Sequence, residues 1–213
     1  MSLHTRLLEI KANAARYVRP ENQSVTDGTI AWLTSSGSEK ALKPGEHLPE
    51  FTLIDTQGKM IPSQGLAGQG LLVIVFFRGR WCPYCVAQLE ALRDAHAKFA
   101  DAGARLIGVS PQTLRQIDFM RHQHSLNLTL FRDERNQAAQ KFGIAYQAPE
   151  QQQELYRRSF VNLPFINGEE TWTLPMPSIF IADQAGVVRY TSVHADFTER
   201  DDPEMLLLQL GCG

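Results

Sequence analysis

The hydrophobic pattern of the chain alternates between short apolar runs and segments with helical spacing. The run 71–77 is continuously apolar and rich in β-branched and aromatic residues, which is typical of a strand covered on both faces. Residues 105–110 and 128–131 predict two further strands, and 178–182 with 187–191 predict a hairpin. The alternation of strands and helices predicts an α/β fold with a mixed central sheet and helices on both faces.

The first 40 residues have a different pattern, because they predict helices only. Residues 3–18 carry leucine and alanine at helical spacing, Pro20 ends that segment, and 27–33 predict a second short helix. We therefore predict an N-terminal helical extension over 1–40, followed by the α/β domain over 41–213. The stretch at about 144–175 is too long for an ordinary connection and is predicted to be an insertion within that domain.

Two helices are predicted after the central strands. In the first, the apolar residues fall on one face and Gly103 ends the helix. The second is predicted to begin at Ser110-Pro111, an N-cap and first-turn pair, and to run to about His122.

Charge and cysteine content narrow the range of functions. The chain has 21 basic and 23 acidic residues and a formal net charge of -2, with no polybasic stripe. We therefore expect no nucleic-acid partner and no membrane partner. The chain has three cysteines, a low and odd number, whereas a disulfide-stabilised secreted scaffold usually has several pairs. The cysteine content therefore favours a reducing compartment and a cytoplasmic location.

The most specific chemical motif is Trp81-Cys82-Pro83-Tyr84-Cys85, directly after the central strand. A thiol attacks only as the thiolate, and the first turn of a helix favours that anion. Two cysteines at this spacing can also reach each other, so that one attacks and the other resolves the product. A zinc half-site is the alternative, but the sequence contains no second cysteine pair to complete it. The motif predicts a redox-active dithiol.

The segment from Phe76 to Cys85 resembles the signature of peroxiredoxin-like proteins in the alkyl hydroperoxide reductase and thiol-specific antioxidant (AhpC/TSA) superfamily. Other blocks that resemble this family lie at 41–45, 51–53, 108–112, 174–177 and 196–200, so that the resemblance covers about residues 40 to 210. It implies a thioredoxin-like three-layer fold, thiol-dependent peroxide or disulfide chemistry, no metal or organic cofactor, and a homodimer.

The sequence departs from the family pattern at the site itself. Cys82 stands where the family has a threonine, Arg78 stands in place of a proline, and the peroxide-binding arginine would fall at Pro177. Pro177 resembles the cis proline that lies beside the dithiol in thioredoxin-like proteins. A thioredoxin-like reaction would use Cys82 as the nucleophile, whereas a peroxiredoxin-like reaction would use Cys85, and the sequence leaves both open.

Five further residues are candidates. Arg78 and Arg200 lie in blocks that resemble the family, and an arginine can lower a thiol pKa or orient a peroxide oxygen. For Arg80 we favour a solvated surface position. Trp81 is expected to cover the dithiol. Cys212 lies next to the end of the sequence and is either an inert terminal residue or a disulfide partner.

Taken together, these features predict a peroxiredoxin-like thiol peroxidase that reduces hydrogen peroxide or organic hydroperoxides through a Cys82/Cys85 dithiol-disulfide cycle. Thioredoxin or glutathione would be the reductant. Two alternatives remain at this stage. One is a thioredoxin-like disulfide reductase, and the other is a redox-sensing binding module whose disulfide state alters a partner surface.

Overall fold

The computed structural model of the protein describes residues 2–36, 39–66 and 70–211. The strands are β1 Thr52–Ile54, β2 Met60–Pro62, β3 Leu71–Phe76, β4 Ala104–Ser110, β5 Thr129–Arg132, β6 Ala145–Gln147, β7 Thr173–Pro175, β8 Ser178–Ala182 and β9 Val188–Val193. The helices are α1 Leu3–Tyr17, α2 Pro20–Ser36, α3 Pro83–Asp101, α4 Leu114–Gln123, α5 Gln137–Lys141, α6 Glu150–Arg158, α7 Leu163–Asn167 and α8 Pro203–Gln209. Short 3-10 turns cover Ser63–Gly65 and Glu134–Asn136.

Seven strands form one mixed sheet in the order β2-β1-β5-β4-β3-β8-β9. The strands β3, β4 and β5 run parallel, and β8 returns antiparallel along β3. Val73, in the middle of β3, is paired with Leu106 on one side and with Ile181 on the other. The predicted mixed sheet and the predicted β8–β9 hairpin are both confirmed.

The core lies on both faces of this sheet, as the unbroken apolar run of β3 predicts. Leu72, Ile74 and Phe76 point into one cluster of buried side chains, whereas Val73 and Val75 point into the other. The second cluster includes both cysteines of the motif and the apolar face of α3. Because side chains alternate along a strand, a strand that is apolar at every position must be covered twice.

The two N-terminal helices pack on different parts of the α/β core. Leu3 and Leu7 of α1 are buried against Ala87 of α3, and the Thr29 hydroxyl of α2 donates to Gln152 of α6 over 2.9 Å. The second helix is much longer than the predicted 27–33. It begins at Pro20, whose missing N–H costs nothing in a first turn, and its weak hydrophobic periodicity hid its true length.

Two other sequence expectations were wrong. The strand β4 extends through Ser110, which pairs with Arg132 of β5, so that α4 begins only at Leu114 after Thr113. The described residues contain no cis peptide bond, so Pro177 does not have the cis conformation that its resemblance implied.

The segment predicted as an insertion forms a separate two-stranded sheet with two helices, and most of its buried apolar side chains join the main core. The strands β6 and β7 pair with each other, and α6 and α7 lie between them in the chain. The helix predicted near residues 150–158 is confirmed as α6. Within the described ranges, no helix is both long and apolar enough to cross a bilayer.

Candidate active site

The dithiol lies where the central strand β3 gives way to α3. Cys82 is the N-cap residue of α3, Pro83 occupies its first position and Cys85 its third. The connecting loop requires Gly79, which has φ +149°, and a Cβ atom there would lie 2.7 Å from the Trp81 indole nitrogen. This loop therefore holds Trp81 and Cys82 in a fixed position above the start of the helix.

Both cysteines are free thiols, and their sulfur atoms are 2.9 Å apart. The Arg200 guanidinium reaches them from the segment after β9, with Nη2 3.0 Å from the Cys85 sulfur and 3.9 Å from the Cys82 sulfur. Its other terminal nitrogen donates to the backbone carbonyls of Phe197 and Glu199, which fixes its direction. The structure thus brings a cation 115 residues away in sequence onto one sulfur of the pair.

The surroundings shift the thiol pKa values of the two cysteines in opposite directions. Burial by itself raises the pKa of Cys85, but a hydrogen bond from the Cys82 thiol and the charges of Arg200 and Arg78 hold that pKa well below its ordinary value. Burial raises the pKa of Cys82, and the hydrogen bond to Cys85 and the charge on that sulfur raise it further. These surroundings favour an anion on Cys85 over an anion on Cys82.

Arg78 is the second buried cation beside the dithiol. Its guanidinium carbon lies 4.0 Å from the ring centre of Phe197 and 4.6 Å from that of Trp81, and it donates a hydrogen bond to the Tyr156 hydroxyl. Only 2% of Arg78 is exposed. Three aromatic faces thus stabilise a charge that would be costly to bury alone.

Neither arginine has a carboxylate within salt-bridge distance in the described part of the chain. Asp201, whose charge interacts with Arg200, is paired instead with His194 at 3.2 Å. The Nε atoms of Arg78 and Arg200 also lack hydrogen-bond partners among these residues. Because buried charges require compensation, an anion on Cys85 would act as the local counter-ion of both arginines.

The remaining sequence candidates fall in different places. Arg80 is half-buried rather than solvated, since its side chain donates to Gln116 and lies over Phe119, and it has no recorded contact with either sulfur. Pro177 is buried next to Ser178, which pairs with Phe76 at the end of β3. Cys212 lies outside the described residues.

Two residues of the site were not predicted from the sequence. Tyr156, on α6, and Phe197, after β9, both face Arg78. Phe197 lies in a block that resembles the family, but Tyr156 carried no signal, because nothing in a local pattern shows which distant helix will cover a loop.

A cavity of about 850 Å³ opens above the dithiol, and we call it the dithiol cavity. Its walls come from α1, α2 and α6, and its floor includes Trp81, Cys82 and Arg78. Cys82 contacts this space, whereas Cys85 lies behind it and is fully buried. In the described part of the chain, no group of three or more His, Cys, Asp or Glu side chains could hold a metal ion.

The central sheet and the buried dithiol define a thiol-redox protein with a thioredoxin-like architecture. The sequence model of the AhpC/TSA family matches residues 44–191, and the chain belongs to this family. The resemblance seen in the sequence is thereby confirmed. The two N-terminal helices lie outside the matched range.

Similar proteins carry peroxiredoxin names. Peroxiredoxin Q of wheat chloroplasts (Triticum aestivum) is 26% identical over 171 residues, which are 80% of this chain and 64% of that protein. Peroxiredoxin Bcp of Escherichia coli K12 is 31% identical over 103 residues, which are 48% of this chain and 65% of that protein. The chain thus spans less than two thirds of the length of these curated relatives.

Solved structures show the same fold. The peroxidoxin BcpB of Mycobacterium tuberculosis matches with a TM-score of 0.61 at 19% identity, over 80% of this chain and 97% of that one. A peroxiredoxin-like protein of Aquifex aeolicus matches with a TM-score of 0.61 at 19% identity, over 80% of this chain and 87% of that one. The predicted thioredoxin-like fold class is therefore confirmed.

Proposed function

We propose that the protein is a thiol peroxidase that reduces hydrogen peroxide or organic hydroperoxides with the Cys82/Cys85 dithiol. The observation that carries this proposal is the contact of 3.0 Å between Arg200 and the Cys85 sulfur, with a second thiol 2.9 Å from that sulfur. Membership of the AhpC/TSA family and the peroxiredoxin names of the relatives support it.

In the first step the Cys85 thiolate attacks one peroxide oxygen. The O–O bond breaks, the attacked oxygen stays on Cys85 as a sulfenic acid, and the other oxygen leaves as hydroxide or alkoxide, which takes up a proton from solvent to give water or an alcohol. Arg200 and Arg78 are proposed to stabilise the negative charge that moves from sulfur to the leaving oxygen. In this site Arg200 would supply the cation that the family pattern places at the position of Pro177.

In the second step Cys82 attacks the Cys85 sulfur, water leaves, and the disulfide forms. The charge on Cys85 raises the pKa of Cys82 only while Cys85 is a thiolate. Once Cys85 has become a neutral sulfenic acid, that contribution disappears and Cys82 can lose its proton more readily. The pair is therefore arranged to act in a fixed order.

The test is stopped-flow fluorescence during a single oxidation of the Cys82→Ser and Cys85→Ser variants by hydrogen peroxide and an alkyl hydroperoxide. Trp81 lies against the dithiol loop and is the reporter, with Trp81→Phe as the control for its signal. We expect Cys82→Ser to react rapidly and to stop at the sulfenic acid, whereas Cys85→Ser reacts no faster than a free thiol. Rapid oxidation of Cys85→Ser would contradict the assignment of Cys85 as the nucleophile.

A second candidate function is the reduction of small disulfides. It is favoured by one observation, namely that Cys82 rather than Cys85 contacts the dithiol cavity. Peroxide consumption no faster than that of a free thiol, together with rapid reduction of a low-molecular-weight disulfide, would establish this function in place of the first.

The reductant, the assembly and the location complete the proposal. We propose a thioredoxin-type or glutathione-type thiol as the reductant and a homodimer as the assembly, both on the basis of the family resemblance. We also propose a cytoplasmic location, because the three cysteines of the chain favour a reducing compartment.

A further inference from the structure

We propose that the disulfide form of the site is reduced by a low-molecular-weight thiol of about tripeptide size that carries carboxylates and binds in the dithiol cavity. This inference rests on the proposed peroxidase function, since that reaction supplies the disulfide. The thiol would attack the sulfur of Cys82, which faces the cavity, and not that of Cys85, which lies behind it.

The first support is the size of the space and the burial of the dithiol beneath it. Small-molecule sites in proteins typically occupy about 300 to 1,000 Å³, and the dithiol cavity measures about 850 Å³. Its walls are three helices, and only 2% of Cys82 and 0% of Cys85 is exposed. A small, flexible thiol can reach this floor between the helices more readily than a cysteine fixed in the surface of a folded protein.

The second support is the charge of the lining. Lys11 and Arg19 line the cavity and make no ion pair within residues 2–36, 39–66 and 70–211, and Arg78 on the floor also lacks a carboxylate partner. Asp27 and Asp196 line the same space and accept hydrogen bonds from the neutral side chains of Gln23 and Thr198, so they keep their negative charge and could hold an amino group of the ligand. An anionic thiol with one amino group complements this arrangement.

The third support is the chemistry of exchange. A thiolate RS⁻ that attacks Cys82 forms a Cys82–S–SR bond and expels Cys85 as the thiolate, beside which Arg200 lies within 3.0 Å in the reduced protein. Exchange is faster when the departing thiol is the more acidic one. A second thiol then attacks the mixed disulfide, releases RSSR and returns Cys82. Two RSH are oxidised to RSSR for each protein disulfide reduced, with no further oxidant or reductant.

The test separates the reductive step from the peroxidase reaction. The Cys212→Ser protein is oxidised to the disulfide with diamide and then mixed with reduced glutathione or, separately, with reduced thioredoxin. We expect reduction by glutathione to saturate with concentration and to be faster than reduction by equimolar thioredoxin. Faster reduction by thioredoxin, or a glutathione rate that rises linearly without saturation, would overturn this inference. A failure of the peroxidase proposal would appear instead as slow oxidation by peroxide.

Matched variants test the cavity itself. Ala14 lines the dithiol cavity, whereas Ala12 is exposed on α1 outside it. We expect Ala14→Phe to raise the half-saturating glutathione concentration about tenfold, because the ring occupies the space of the ligand, and Ala12→Phe to leave it unchanged. Equal effects of the two substitutions would contradict binding at this site.

Charge and the attacked sulfur have their own controls. The double variant Lys11→Gln/Arg19→Gln should raise the half-saturating glutathione concentration about threefold to tenfold, whereas Arg16→Gln, on the same helix as Lys11 but outside the lining, should not.

In mass spectra after incubation with glutathione disulfide, Cys85→Ser should carry a glutathionyl group on Cys82. If Cys82→Ser carries the adduct on Cys85 instead, the thiol reaches the wrong sulfur and the inference fails.

Discussion

At the scale of single residues, the proposed chemistry depends on how the charges of two arginines distinguish the two sulfurs. Arg200 lies closer to Cys85 than to Cys82, at 3.0 Å against 3.9 Å. In a buried site this difference in distance changes the electrostatic interaction substantially, because little water screens the charge of Arg200. The hydrogen bond between the sulfurs adds to the difference, so that the anion is favoured on Cys85.

This arrangement predicts the behaviour of Arg200→Gln. Without the guanidinium, the pKa of Cys85 should rise from its lowered value towards the ordinary value of 9.0. Peroxide oxidation should then slow about tenfold to a hundredfold at neutral pH, the loss expected for one charge-assisted hydrogen bond, and should recover partly as the pH rises. The measurement is the pH–rate profile together with the thiolate ultraviolet absorbance.

Arg80→Gln is the matched control, because Arg80 lies in the same loop as the dithiol but binds Gln116. It should leave the pH–rate profile unchanged. An Arg200→Gln profile that keeps the wild-type pH dependence would mean that Arg200 does not set the charge of Cys85.

At the scale of elements, a close backbone contact between Gly143 and Lys40 fixes how the end of α5 packs against the segment that follows the N-terminal helices. Gly143 follows α5 with φ +69°, and a Cβ atom there would lie 2.0 Å from the Lys40 carbonyl oxygen. The chain passes at this point from the N-terminal helices into the sheet, and the Leu42 amide donates to Phe142 next to it. Only glycine fits both the conformation and the space.

Two glycine substitutions separate the cost of a left-handed backbone conformation from the cost of a close contact. Gly186, in the β8–β9 turn, also has a positive φ of +78°, but its Cβ would meet nothing within 4 Å. Gly186→Ala should therefore lower the free energy of unfolding only by about 1–2 kcal/mol, the cost of the left-handed conformation. Gly143→Ala should lower it by roughly 2–5 kcal/mol, because overpacking adds to that cost. Urea unfolding measures both, and equal losses would show that the Lys40 contact is unimportant.

At the scale of the whole molecule, the N-terminal helices complete a site whose chemistry belongs to the α/β core. The match to the AhpC/TSA family begins at residue 44, yet α1 and α2 form two walls of the dithiol cavity. We propose on this basis that residues 1–40 are an extension added to a domain of residues 41–213. Their role would be to determine which molecules reach the dithiol.

The extension can be loosened at one point. Leu7 is buried against α3, whereas its neighbour Leu8 is 53% exposed. Leu7→Asp should release α1, because an unpaired charge cannot remain in that contact. We expect faster hydrogen exchange over residues 3–17 and a loss of glutathione saturation, while peroxide still oxidises the dithiol. Leu8→Asp should change neither, and loss of peroxide oxidation in Leu7→Asp would show that the extension is needed for the chemistry as well.

Local patterns in the sequence were sufficient for much of this protein. The apolar run of β3 predicted a strand covered on both faces, and the cysteine spacing after it predicted a dithiol at a helix start. Both depend on residues close together in the chain. Prediction failed where the same residues suit two local structures. Ser110-Pro111 suits a helix start, but Ser110 is the last residue of β4.

The sequence by itself determined the family, the fold class and the pair of sulfurs that we propose to react. Only the tertiary structure decided which sulfur lies beside a cation and what lies above the pair. The charge depends on Arg200, and the covering of Arg78 depends on Tyr156, both far from the dithiol in sequence. The physical reason is that electrostatic energy depends on distances of a few ångströms across buried space, and folding alone sets these distances.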